Sequence, residues 1–80
     1  IGERLKTLSN AVQIIVITHQ PQVAGKADQH ILVVKTQGEF CTRVDINVLE
    51  AEDKSYELAR MISGSQITEI GLQAAKELIT

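Results

Sequence analysis

The sequence is short of the residues that staple or stack a small protein. Its 80 residues include one cysteine, one proline, one phenylalanine, one tyrosine and no tryptophan. A single thiol cannot close a disulfide within the chain, so a disulfide-built secreted scaffold is excluded and a reducing, cytosolic setting is expected. With aromatics at 2% there is no platform on which single-stranded bases could stack. Positive charge is not in excess either. Eight Lys and Arg against ten Asp and Glu leave a net −2 at pH 7, the opposite of a nucleic-acid footprint. The longest apolar run, Ile14-Ile15-Val16-Ile17, falls far short of the ~20 residues that span a bilayer, so no membrane partner is expected. A signal-peptide pattern is not expected to explain the opening residues, which lack a charged stretch followed by an apolar one. A large self-contained enzyme is excluded by length, since one domain alone typically takes ~100–200 residues.

What is present is ordinary for a soluble globular chain, with 44% hydrophobic and 22% charged residues. Folding a chain of this size should reduce its accessible surface from about 12,800 Å² to about 4,800 Å². If ~4,800 Å² of the buried area is apolar, at ~25 cal/mol/Å² burial contributes ~120 kcal/mol, and ordering costs about as much. A balance near zero leaves room for help from a partner chain, a ligand or a further segment. Ile1 is not an initiator methionine, and Ile1-Gly2-Glu3-Arg4-Leu5 enters a helical pattern with no capping residue ahead of it. The expectation is a piece of something longer.

Ile1, Leu5 and Leu8 form one stripe of a short amphipathic helix that Ser9-Asn10 ends. Val12–Thr18 is nearly all β-branched and nearly continuous in hydrophobicity, the pattern of a strand covered on both sheet faces. Pro21 suits the first position of a helical turn running to Ala24, before Gly25. His30–Lys35 and Phe40–Leu49 read as an antiparallel hairpin turning at Gln37-Gly38. In its second arm Phe40, Thr42, Val44, Ile46 and Val48 alternate with polar residues, which predicts one buried and one wet face. A helix over Asp53–Ser63 carries the stripe Leu58, Met61, Ile62 and stops at Gly64. Thr68 caps a last helix with the stripe Leu72, Ala75, Leu78, Ile79, and Glu69 lies in its first turn. The run at Val12–Thr18 demands neighbours that a lone hairpin does not supply. Parallel partners need crossovers of a dozen or more residues, so they are expected from an upstream segment or from a second copy.

His19 is the leading candidate for chemistry. It follows a strand's carboxyl end, where open α/β sheets bind their ligands. There an imidazole can donate a hydrogen bond to phosphate or orient a water; equally, it can bond a nearby carbonyl. His30 beside Asp28 reads as structural. His19, His30, Cys41 and Asp45 contain no close ligand pair of the kind metal sites use, so no metal is expected, and nothing in the sequence partners Cys41 with a base. Gly25-Lys26 is not a phosphate loop: that motif needs Gly at position 20 and Ser or Thr at position 27, which hold Gln20 and Ala27.

Val16-Ile17-Thr18-His19-Gln20-Pro21-Gln22-Val23-Ala24, then Ala27-Asp28-Gln29-His30 and Val34-Lys35, resembles the C-terminal end of the RecN DNA repair proteins, relatives of the structural-maintenance-of-chromosomes ATPases. Glu57–Gly64 and the stretch from Ile67 to Leu78 resemble that family's last two helices, so the likeness covers almost the whole chain. The resemblance implies an α/β fold: residues 1–80 as the C-terminal portion of an ABC/SMC-like P-loop NTPase head, with a helix, a buried strand, an antiparallel hairpin and two closing helices. It implies that His19 is the switch histidine, contacting the ATP γ-phosphate and helping to place the attacking water. Gln20, Pro21 and Gln22 would shape the loop. The phosphate loop, signature motif, Walker B acids and coiled coil would precede Ile1, so ATP and Mg²⁺ belong to the full-length parent and the 80 residues alone should be inactive. Further implications are the remainder of the head as partner, head dimerisation, DNA at double-strand breaks held elsewhere, and a cytoplasmic, nucleoid-associated location. Two alternatives stand beside this reading: a non-catalytic α/β self-association module and a free-standing small hydrolase.

Overall fold

The computed structural model describes residues 1–79. In chain order they form α1 (Gly2–Leu8), α2 (Pro21–Ala24), β1 (Ile31–Gln37), β2 (Thr42–Val48), α3 (Ala51–Ser63) and α4 (Glu69–Leu78). This is a mixed α/β chain whose one sheet, among the described residues, is the antiparallel β1–β2 hairpin. Among the described residues no helix is long and apolar enough to cross a membrane.

The helices start and stop on local chemistry. Pro21 occupies the first turn of α2, where its missing N–H removes no helical bond. Gly64 ends α3 at φ 81, a left-handed conformation that a side chain would oppose. Thr68 caps α4, its Oγ1 accepting from the Gly71 N–H at 2.9 Å. Helix α3 begins before the expected Asp53: Ala51 is a strong helix former, and Glu52 and Asp53 place negative charge in the first turn.

The core lies between α3 and α4. Leu58, Ala59 and Ala75 are fully buried there, with Ala24, Met61, Leu72 and Ile79 packed around them. The α2–α4 approach is close because position 25 is glycine. A Cβ on Gly25 would stand 2.7 Å from the Leu78 carbonyl oxygen and 2.9 Å from the Leu78 Cβ.

Val12–Thr18 differs from expectation. It joins neither strand of the sheet, and Ile15 and Ile17 are 84% and 99% exposed; the anticipated buried strand does not form. β-branched residues favour extended backbone, but a strand also needs a neighbour to bond with, and none of the described residues supplies it. The hairpin departs in the same way. Its arms are Ile31–Gln37 and Thr42–Val48, joined by a four-residue loop closed by the Gly38 N–H on the Cys41 carbonyl at 2.7 Å. The face expected to be buried is bare, with Val44, Ile46 and Val48 all exposed.

These bare surfaces account for the chain's size. Its accessible area is 6406 Å², roughly 1,600 Å² above that of a compact protein of this mass. Its radius of gyration is 13.9 Å, against about 11.6 Å for a compact 80-residue domain.

Candidate functional site

His19 stands where uncovered chain meets α2. The backbone turns there as the Gln20 N–H donates to Thr18 Oγ1 at 3.0 Å, and Gln20 then leads into Pro21 at the head of α2. The imidazole is exposed. Its support comes from one side, through α2 and the close seat of Gly25 on Leu78. An imidazole so presented can donate one hydrogen bond to an incoming phosphate oxygen or hold one water. Gln22 is exposed and Pro21 half-buried, and both lie within α2 rather than in a loop.

The remaining sequence candidates are scattered. Among the described residues no group of three His, Cys, Asp or Glu side chains could hold a metal ion. Asp28 pairs with Lys6 of α1, and its carbonyl accepts from Lys54 Nζ of α3 at 3.2 Å. Its role is to tie a loop to two helices. His30 opens the hairpin, its carbonyl accepting from the Leu49 N–H at 2.9 Å. Burial holds its pKa below the ordinary histidine value; Glu57 pulls it up and Lys54 adds to the depression. Cys41 is a free thiol exposed in the hairpin loop. Asp45 pairs with Arg43 at 3.2 Å. Lys26 Nζ lies 3.5 Å from Glu3 Oε1 and Gly25 is buried, so Gly25-Lys26 offers no cradle for phosphate.

One constellation was not anticipated from the sequence. Glu57 of α3 is buried and receives Arg60 at two points, Nε to Oε2 at 2.9 Å and an Nη to Oε1 at 2.5 Å. The guanidinium stays protonated more firmly for that bond. The pair lines a shallow depression with Leu32, Leu49, Tyr56 and Ile67 between hairpin and helix. Its signal was the i, i+3 spacing on one helix face.

No protein-family model matches the chain. Over 79 residues, 99% of its length, it is 62% identical to the DNA repair protein RecN of Rickettsia bellii. Over the same length it is 43% identical to RecN of Streptomyces coelicolor and 39% identical to RecN of Vibrio cholerae. The chain spans 14% of the length of each of these relatives.

Proposed function

On the premise that the chain is homologous to a segment of DNA repair protein RecN, we propose that it forms the C-terminal part of an ABC/SMC-like ATPase head and that His19 is the head's switch histidine. The observation that carries this reading is the pairing of homology over 99% of this chain with the position of His19, an exposed imidazole after a β-branched run and ahead of a helix. That is where α/β sheets present groups to phosphates. Hydrolysing ATP would supply the free energy for opening and closing paired heads.

The chain's own contribution is narrow. The His19 imidazole donates to a γ-phosphate oxygen or holds the water beside it, and the turn at Gln20 leading into α2 aims it. Magnesium ligands and a water-orienting carboxylate would come from other parts of a RecN-length protein, since the described acidic residues do not gather. Gripping DNA at double-strand breaks would also fall to other parts, in keeping with a net charge of −2 here. The setting would be the cytoplasm, at the nucleoid.

The test is ATP turnover by a full-length RecN carrying this segment, with and without His19→Ala. The expected result is a fall in kcat of about 10²–10⁴-fold with nucleotide binding retained. Unchanged turnover would assign His19 to loop structure and favour a non-catalytic α/β self-association module.

A further inference from the structure

The chain bends at His19, and the residues on both sides of it are tied. Downstream, the Gln20 carbonyl accepts from the Val23 and Ala24 N–H groups at 3.1 and 3.0 Å, so Gln20 is held by the first turn of α2. That helix is itself seated on two sides. Gly25 lies against Leu78 of α4, and Gly2 of α1 comes so near that a Cβ there would stand 3.0 Å from the Gln22 carbonyl oxygen. Upstream, the tie is a side chain. Thr18 Oγ1 accepts from the Gln20 N–H at 3.0 Å, and this bond spans His19, closing a short loop of atoms that runs through the histidine backbone. Thr18 is also the one half-buried residue between Ile15 and Gln20. The run before it joins no strand among the described residues, so no ladder fixes the approach to His19.

An exposed imidazole takes its direction from its own backbone, because little packs against it. Whatever holds the peptides on either side of His19 therefore sets where the imidazole points, and a donor misplaced by about 1 Å loses much of its effect on a reacting group. We propose that the Thr18 hydroxyl is a positioning group for His19, fixing the bend from which the imidazole reaches a phosphate oxygen or its water. The role rests on His19 being the switch histidine. It has a defined chemistry: serine keeps the acceptor at the same point of the side chain, whereas valine keeps the β-branched shape and leaves the Gln20 N–H without its partner.

The test is ATP turnover by a full-length RecN carrying this segment, as Thr18→Val, Thr18→Ser, His19→Ala and the Thr18→Val/His19→Ala pair. An ordinary hydrogen bond shifts an equilibrium by roughly 3–10-fold, so Thr18→Val should lower kcat by about that factor. KM for ATP should stay within about twofold, since the aimed group acts on the reacting phosphate. Thr18→Ser should turn over like wild type. In the His19→Ala background Thr18→Val should cost nothing more, because the group it aims is gone. Should the valine variant not fold, Thr18→Ala removes the same acceptor in both backgrounds. Undiminished kcat without the hydroxyl, a serine variant as slow as the valine one, or an equal fall in both backgrounds would overturn the positioning role while the switch-histidine reading stands. Unchanged turnover in His19→Ala would instead remove that reading, and this role with it.

Discussion

Replacing Gly25 by alanine isolates the contact that seats α2 on α4. Gly25 has φ −63 and ψ −19, a right-handed conformation open to any residue. On backbone grounds alone, alanine should stabilise the fold by about 0.4–1 kcal/mol, since it restricts the unfolded chain. Opposing this, the new methyl meets the Leu78 carbonyl oxygen at 2.7 Å, its Cβ at 2.9 Å and its carbonyl carbon at 3.1 Å. Backbone must move to relieve such contacts, and overpacking of this kind costs about 1–3 kcal/mol. The steric effect wins, giving a net loss of about 1–2 kcal/mol, or a fall in Tm of roughly 4–15 °C for a domain this small. Adding Leu78→Ala should not rescue it, because alanine keeps the Cβ and the whole carbonyl. The assay is thermal and urea unfolding of wild type, Gly25→Ala and the double variant. Equal or higher stability in Gly25→Ala, or recovery in the double variant, refutes the reasoning.

Two further outcomes follow from groups flanking the hairpin. Burial holds the His30 pKa below 6.5 in the fold, so as pH falls the unfolded chain takes up its proton first. Stability is therefore intact above pH ~6.5 and declines below it until the folded histidine also titrates; urea midpoints from pH 7.5 to 5 should show this slope shrinking in His30→Gln, and an unchanged slope contradicts it. The Glu57–Arg60 pair is asymmetric, the carboxylate side chain 9% exposed and the guanidinium 53%. Arg60→Ala strands a buried charge and should cost roughly 1–3 kcal/mol, whereas Glu57→Gln frees a guanidinium that water can solvate and should cost less. Chemical denaturation of both variants reads the order directly, and the reverse order would count against the burial argument.

Much of the fold was legible because its signals are local. Proline at the head of α2, Gly64 after α3 and Thr68 before α4 act within a few residues of themselves, and the structure has each in its expected role. Val12–Thr18 shows where such reading stops. Its β-branched residues favour extended backbone, yet no strand forms there, because a strand needs neighbours and the sequence of the segment cannot supply them. The alternating arm of the hairpin failed in the same manner: the period of two is real, and nothing described lies over its apolar side. For the site, the place of His19 just ahead of α2 was legible, the strand expected before it does not form, and its role came from the RecN resemblance. The environment of His30 was not legible at all, since Lys54 and Glu57 reach it from a helix more than twenty residues further along the chain.

Asp28 carries a consequence of its own. Its carboxylate takes the ammonium of Lys6, and its carbonyl takes that of Lys54, so one loop residue fastens the first helix and the third to the approach of the hairpin. Both fastenings sit at the surface, where dissolved ions compete for them and each is worth ~0–1 kcal/mol. Ionic strength therefore acts on this molecule as a slackening screw. Raising it loosens the ties of the first and third helices to the Asp28 loop while leaving the apolar seam between the last two helices tight.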